Sequence, residues 1–356
     1  MALHSEFAER APLVRILTSS WRNALDHDEI SADDIATAAP LLLSSGTAAL
    51  AWRRISHLDF KTDPAFQQLQ EGYRLHSIQS RLHEHQLKDL FKRMRAAGVE
   101  PLLLKGWAMA RLYPEPGLRP YGDIDLWVSP AQAKTAQENL YARTGRPYCV
   151  ELHSAFYKQY ERTVEDVLEN SQLALLDDIE IRVPCIEDHL RYLCMHFLAH
   201  GAWRPLWLCD IALVVETRPA DFDWDRCLAG TRKYSDWIAC AIGLAHQLLS
   251  ADISGTPVEE RARRLPRWLV PAVLRQWETG SGMSYADTLS GVIQSSLRDP
   301  SRLAGRLKQH WRNPIQASVE MNAWFNEFPR GPLQFAAAFW RVPEFARSLG
   351  RKFRRA

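Results

Sequence analysis

No two cysteines in this chain have the Cys-x-x-Cys spacing that structural zinc sites commonly use. The six cysteines are expected to be free and mostly buried thiols, because a chain of 356 residues can build an apolar core without disulfides. The N-terminus also lacks the basic-then-apolar order of a secretory signal. These absences predict a protein of the reducing cytoplasm.

Long apolar runs and a large net charge are missing too. The most apolar early stretch, residues 39–51, is interrupted by Ser44, Ser45 and Gly46 and is shorter than the roughly 20 residues that span a bilayer. No transmembrane segment is therefore expected. The formal net charge is only +2, so the chain has no overall basic field that would hold nucleic acid unspecifically. A nucleic-acid partner would need a local basic surface and is not favoured.

The composition is that of a folded chain, with 46% hydrophobic and 24% charged residues. Apolar residues recur at helical spacing near both ends, whereas alternating and short apolar runs are confined to the middle. We predict an α+β fold, in which a small mixed β-sheet core is flanked by N-terminal and C-terminal helical regions. The expected divisions are a helical region at 1–98, an α/β core at 99–185 and a helical region with a basic tail at 186–356.

Individual elements can be predicted within this outline. The clearest helix covers Phe66–Ala97 and is ended by Gly98, a residue that commonly closes helices. A further helix is expected at 130–141. Short strands are expected at 99–104, 123–128, 148–153 and 178–183.

The informative chemistry lies around Asp123 and Asp125. Two carboxylates at positions i and i+2 of a strand share one face, and at that distance they repel unless a cation lies between them. A divalent ion removes this cost, since Mg²⁺ prefers a few carboxylate oxygens together with substrate phosphates. Gly106, placed before a short helix, would let the backbone approach those phosphates. An Asp-x-Asp tripeptide by itself is more often a solvated strand end.

The order of the motifs along the chain favours the metal-binding interpretation over a solvated strand end. The segment Leu102–Val128 reads LLLKGWAMARLYPEPGLRPYGDIDLWV and closely resembles the signature of a bacterial family of nucleotidyltransferases within the DNA polymerase β-like superfamily. The resemblance extends to Val150–His153, to the segment Glu187–His200 and to Trp207–Asp210, so that it covers roughly residues 70 to 215. It implies the transfer of a nucleotidyl group from an NTP, assisted by Mg²⁺ or Mn²⁺.

The resemblance also implies the metal ligands. Asp123 and Asp125 would bind the metals. Glu151 would be the third carboxylate, contributing to the second metal and taking the acceptor's proton as general base. Glu180, on the next alternating segment, is the alternative to Glu151.

Three further residues would contact the nucleotide phosphates. Lys105 and Gly106 occupy the phosphate-binding turn, where this branch has Lys-Gly and the superfamily usually has Gly-Ser or Gly-Gly. Arg119, just before the aspartate pair, would neutralise charge on the leaving pyrophosphate.

Other polar residues near these motifs have ordinary explanations. His196 and His200 lie one helical turn apart, so they could face one metal or a nucleotide, although histidines in a helical core are commoner. His153 is expected to point away from Glu151 and to be structural. Asp210 is expected to be structural as well.

The sequence leaves the acceptor open. A small metabolite, a sugar or a peptide natural product is favoured by analogy. The alternatives are a toxin-like enzyme that nucleotidylates tRNA or a protein, and a degenerate nucleotide-binding module. A basic C-terminus could dock an acidic partner or could be a solvated helix end; it contains Arg341, Arg347, Arg351, Lys352, Arg354 and Arg355.

Overall fold

The N-terminal part of the chain is helical, as the spacing of its apolar residues predicts. The computed structural model describes residues 11–24, 29–141, 149–156, 160–278 and 312–340. The first helices are α1 (Pro12–Leu17), α2 (Ala32–Ser44), α3 (Ala48–Ile55) and α4 (Pro64–Ala96). Helix α2 begins with a capping box, in which Ser31 and Asp34 each accept a backbone N–H from the other.

Helix α4 is the longest element and links two parts of the protein. It begins after Asp63, whose carboxylate accepts the backbone N–H groups of the next helical turn, and it ends before Gly98 at φ +73°. Its 33 residues span about 50 Å. Phe66 and Leu69 pack in one hydrophobic core, whereas the buried residues from Leu87 to Met94 pack in another. The helix predicted at 66–97 is confirmed.

The middle of the chain forms a small mixed sheet. Its elements are β1 (Leu102–Leu103), α5 (Trp107–Ala110), β2 (Ile124–Trp127), a 3₁₀ turn (Pro130–Gln132), α6 (Ala133–Tyr141) and β3 (Val150–His153). The strand order is β1-β2-β3, with β1 antiparallel and β3 parallel to β2. Strand β2 is therefore central, and every one of its residues is buried. The alternation in its sequence predicts a half-buried strand, but both faces of this strand are covered.

A separate hairpin follows helix α7 (Val164–Glu169). It consists of β4 (Gln172–Leu176) and β5 (Ile179–Val183), which pair antiparallel. Strand β5 agrees with the predicted segment at 178–183, whereas β4 is not predicted by the alternation of polar and apolar residues. Leu173 and Leu175 are exposed on its outer face, so apolar residues occupy both faces and the strand shows no alternation.

The rest of the chain is again helical. Its helices are α8 (Ile186–Ala199), α9 (Pro205–Thr217), α10 (Trp224–Leu228), α11 (Arg232–Leu249), α12 (Glu259–Arg263), α13 (Leu269–Glu278), α14 (Pro314–Glu320) and α15 (Gly331–Trp340). The six basic residues at 341–355 that carry the predicted acidic-partner site lie outside the described residues.

The two helical regions share one core. Buried residues of helices α1 to α3, such as Ile16 and Leu50, belong to the same hydrophobic cluster as Phe197 and Trp237 from helices α8 and α11. A second cluster lies between the C-terminal half of α4 and the sheets, and a third lies on the far side of β1 and β2. The α+β fold with helical flanks is thus confirmed, while the three-way division of the chain stays a prediction.

Two smaller expectations concern thiols and membranes. All six cysteines are free, and four of them are buried: Cys194, Cys209, Cys227 and Cys240. Within the described ranges, no helix combines the length and apolarity that crossing a membrane requires.

Candidate active site

The parallel pairing of β2 with β3 brings three potential metal ligands together. Asp125 is the register partner of Glu151, and Trp127 is the partner of His153. Residues two apart on a strand share a face, so Asp125, Glu151 and His153 extend from the same side of the sheet. One ligand atom from each lies within 4.8 Å of the other two. Among the described residues, this is the one such group of histidine, cysteine or acidic side chains.

Asp125 is the centre of this group. Its carboxylate is 2% exposed; Oδ1 lies 3.1 Å from His153 Nε2, and Oδ2 lies 3.0 Å from Lys105 Nζ. His153 Nε2 is also 3.7 Å from Glu151 Oε2, and the Glu151 side chain is 61% exposed. The group therefore has one buried acid, one solvent-facing acid and one imidazole between them.

The charges around Asp125 keep it ionised. Burial alone would raise the pKa of this carboxyl group, but the hydrogen bond with His153 and the charge of Lys105 outweigh burial and lower its pKa. A buried carboxylate that stays ionised is a suitable ligand for a divalent cation.

The expectation that His153 points away from Glu151 is wrong. The two residues are separated by one position, so the strand alternation places them on one face, not on opposite faces. The imidazole also stacks on Trp127, with ring centroids 4.5 Å apart and an interplanar angle of 24°. This stacking fixes the ring plane while Nε2 faces the two acids.

Asp123 is placed differently from Asp125. It precedes β2 and is half-buried, and it does not belong to the group of three ligands. Its charge acts instead on Arg204, whose pKa it raises against the larger effect of burial. The role of Asp123 as a metal ligand stays a prediction.

The turn at Lys105 and Gly106 has the backbone conformation that requires glycine. Gly106 has φ +61° and ψ −120°, and a Cβ atom there would lie 3.2 Å from the ring of Tyr121. The helix that follows, α5, has only four residues, so its dipole adds little to anion binding. Lys105 contacts Asp125, which places its ammonium group beside the ligand cluster. Phosphate binding by this turn stays a prediction.

Arg119 lies in a buried ion pair. Its Nε and Nη2 atoms donate to the Asp210 carboxylate at 2.9 to 3.2 Å, and Tyr113 donates its hydroxyl to Asp210 Oδ1 at 2.8 Å. Both Arg119 and Asp210 are at most 6% exposed. The donors that the sequence interpretation directs at pyrophosphate therefore bind a carboxylate. The phosphate role of Arg119 stays a prediction, and the geometry favours a positioning role.

Glu180 lies apart from these acids. It is exposed on β5, in the separate hairpin, where it pairs in register with Leu175. Between the two candidates for a third carboxylate, the structure brings only Glu151 to Asp125.

The corner between helices α8 and α9 lies near the Asp125 group, because the charge of Lys105 acts on both of its histidines. His196, His200 and Trp207 are half-exposed, and their ring centroids lie 4.3 to 5.3 Å apart. Burial is the main cause that lowers the pKa of both histidines, to about 4 for His200, and the charge of Lys105 contributes in each case. These rings are therefore neutral at pH 7, and they lie near enough to Lys105 for its charge to act on them. We call the space between this corner and the Asp125 group the active-site cleft.

The donor set of the cleft fits a divalent cation. Asp125 and Glu151 offer carboxylate oxygens, which suit Mg²⁺ and Mn²⁺, and His153 offers an imidazole nitrogen, which suits the transition metals. For His153 to serve as a ligand, its Nε2 must be unprotonated and Nδ1 must carry the proton. This donor set is the observation that supports a metal-dependent chemistry.

Sequence reasoning missed two residues of the cleft. His153 could have been found, because its position two residues after Glu151 places both on one face. Arg204 follows no recognisable motif, and only the fold brings it beside Asp123.

A comparison of the whole chain with known families agrees with this geometry. The sequence model of a family described as uncharacterised nucleotidyltransferase matches residues 31–250, which include the sheet, the cleft and most of the shared core. No curated protein and no solved structure matches the chain. The protein belongs to this uncharacterised nucleotidyltransferase family and is an enzyme that transfers nucleotidyl groups.

Proposed function

We propose that the protein transfers a nucleoside monophosphate from an NTP to an acceptor hydroxyl or similar group, with release of pyrophosphate. The acceptor is a small metabolite, a sugar or a peptide natural product. The observation that carries this proposal is the Asp125–Glu151–His153 group on neighbouring parallel strands, with Lys105 beside it.

A divalent ion, Mg²⁺ or Mn²⁺, would be held by Asp125, Glu151 and His153. Asp123, two residues before Asp125, would become a further ligand when the nucleotide is bound. The ion would neutralise charge on the phosphates during an in-line displacement. In the reaction, the acceptor oxygen bonds to the α-phosphorus while the bond from that phosphorus to the bridging oxygen breaks, and pyrophosphate leaves with that oxygen.

Glu151 has a second role in the proposal. Its carboxylate is exposed to the cleft, unlike that of Asp125, so an acceptor can reach it. We assign it the proton of the acceptor, as general base. Lys105 and Gly106 would contact the triphosphate, since the ammonium group of Lys105 needs only to exchange Asp125 for a phosphate oxygen.

The remaining parts of the proposal concern partners and location. The partners are an NTP and an acceptor of one of the classes named above. The net charge of only +2 argues against long RNA as the acceptor. The cytoplasm is proposed as the compartment, with the free thiols in support.

Calorimetric titration tests the central claim. The four NTPs are titrated into the wild-type protein with Mg²⁺, with Mn²⁺ and without metal, and the series is repeated with Asp125→Asn. We expect metal-dependent binding of at least one NTP, which the Asp125→Asn variant loses. Wild-type protein that binds no NTP under any metal condition would contradict the proposal.

Glu151 and Glu180 provide a matched pair for the chemical step. Glu151→Gln should reduce nucleotidyl transfer, or hydrolysis of the bound NTP, by about 10² to 10⁴-fold, because a general base is lost. Glu180→Gln changes an exposed residue outside the cleft and should have no effect. Equal activity of the two variants would remove Glu151 from the mechanism. Binding without turnover in the wild type would favour the degenerate module.

A further inference from the structure

Arg204 has features that the site described so far does not use. It lies at the corner between α8 and α9, immediately before Pro205, and it is half-buried. Its Nε donates to the backbone carbonyl of Ser45 at 2.7 Å, and its guanidinium lies 5.7 Å from the ring centroid of Trp207. The planar group is thus held at one edge by a hydrogen bond and on one face by an aromatic ring.

Gly46 provides the space for this arginine. A Cβ atom at Gly46 would lie 2.6 Å from Arg204 Nη2 and 3.3 Å from Pro120 Cγ, and the residue has φ +78°. A larger residue would displace the guanidinium. The same geometry sets the fork of Arg204 beside the loop that continues from Pro120 to Asp123.

The fork has spare donors. Among the described residues, the Nε group of Arg204 has an acceptor, and no hydrogen bond or ion pair is made by Nη1 or Nη2. Burial lowers the pKa of Arg204 to about 10, with Arg119 adding to the effect, yet the group stays charged at pH 7. Arg119 differs in this respect, because both its Nε and its Nη2 atoms donate to Asp210.

A guanidinium with two free donors in a cleft matches a phosphate anion, which accepts bidentate hydrogen bonds from arginine. The ring of Trp207 lies against its guanidinium, and the charges of Arg119, Asp210 and Asp123 all act on it. A phosphate bound there would lie near the loop that runs from Pro120 to Asp123.

We propose that Arg204, held by Ser45 and Gly46, binds the β- and γ-phosphates of the NTP and the pyrophosphate that leaves. This proposal rests on the nucleotidyl transfer proposed above and adds a residue that binds the leaving pyrophosphate. Arg119 then acts through Asp210 as a positioning residue.

Arg218 is a matched control at the other end of α9, which is about 20 Å long. It also donates to backbone carbonyls, those of Val215 and Ser254, and its guanidinium lies 5.9 Å from the ring centroid of Trp224. Removal of either guanidinium therefore costs similar local contacts, but Arg218 lines a different cavity, at the end of α9 away from Trp207.

The test titrates inorganic pyrophosphate, the NTP that binds best and its monophosphate into wild type, Arg204→Gln, Arg204→Lys and Arg218→Gln, all with Mg²⁺. We expect Arg204→Gln to weaken pyrophosphate and NTP binding by roughly 10- to 100-fold, because hydrogen bonds to a charged group are lost, with monophosphate binding unchanged. Arg204→Lys should restore part of the affinity, and Arg218→Gln should bind all three as wild type does. Thermal unfolding of each variant shows that it is folded.

The outcomes separate this inference from the proposed function. The inference is overturned if Arg204→Gln binds pyrophosphate as wild type does, or if it loses as much affinity for the monophosphate as for pyrophosphate. Either result would overturn it even if Asp125→Asn has lost NTP binding. If wild type binds pyrophosphate through Arg204 but binds no NTP, the anion site stands and the proposed function falls. Wild type that binds neither ligand overturns both.

Discussion

The buried pair of Arg119 and Asp210 allows a sharp test of what Arg119 does. Both side chains are nearly inaccessible, and the carboxylate also accepts a hydrogen bond from Tyr113. Removing one partner of such a pair leaves a buried, uncompensated charge, which costs about 3–5 kcal/mol. That is a large part of the roughly 5–15 kcal/mol by which proteins are usually stable.

Three variants separate the charge pair from other effects. Arg119→Met and Asp210→Asn should each lower the free energy of unfolding by about 3–5 kcal/mol. The double variant should recover most of this loss, because no unpaired charge remains and the amide oxygen introduced by Asp210→Asn still accepts from Tyr113. A coupling energy of about 2 kcal/mol or more is therefore expected. Urea unfolding followed by tryptophan fluorescence measures all three.

The same variants decide between a structural and a phosphate-binding role. If Arg119→Met costs less than about 1 kcal/mol and the double variant recovers nothing, the pair does not stabilise the fold and the reasoning is refuted. If in addition Arg119→Met abolishes pyrophosphate binding in a fully folded protein, Arg119 is the phosphate ligand that the family resemblance implies.

Four other substitutions probe the fold around the site. His189 is 1% exposed, and burial together with two neighbouring arginines lowers its pKa to about 3. In the unfolded chain this histidine takes up a proton near its usual pKa of 6.5, whereas in the folded protein it stays neutral until about pH 3. The free energy of unfolding should therefore fall by up to about 5 kcal/mol between pH 6.5 and pH 3. His189→Leu should reduce this pH dependence, as measured by urea unfolding at a series of pH values. Gly106→Ala should lower stability by about 1–3 kcal/mol and disturb the turn at Lys105 and Gly106, whereas Gly98→Ala, with open space at its Cβ, should cost only about 1 kcal/mol. Phe91→Ala, at a fully buried position, should cost about 3–5 kcal/mol in the same assay.

Each of these has a result that would count against it. An unchanged acid slope in His189→Leu would mean that other groups cause the loss of stability. Equal costs at Gly106 and Gly98 would show that the ring of Tyr121 does not constrain the turn. A loss well below 3 kcal/mol in Phe91→Ala would mean that the neighbouring side chains close the cavity.

The sequence predicts local structure and the acids well, because both depend on short-range patterns. The 3.6-residue spacing and Gly98 locate the long helix, and the motif around Asp125 locates the central strand. Glu151 follows from the family resemblance, and the parallel register of two strands places it beside Asp125.

The sequence does not predict contacts that the tertiary fold creates. Lys105 lies next to Asp125 because β1, which it follows, pairs antiparallel with the central strand, and neither residue type nor spacing predicts that ion pair. The sequence around Arg119 gives no sign of a partner for its guanidinium, but the fold pairs it with Asp210, which lies 91 residues later in the chain. Arg204 is the reverse case, since no sequence pattern marks it, and among the described residues the fold supplies an acceptor only for its Nε.

The core shared by both helical regions has a consequence for how the chain acquires its structure. Ile16 and Leu50 pack with Phe197 and Trp237, so contacts of high sequence separation complete this core. The cluster around the sheets, from Leu87 to Val183, uses only nearer neighbours and can form first. During synthesis, the first three helices can pack on one another and on α4, but their core is complete only after α8 and α11 have been made.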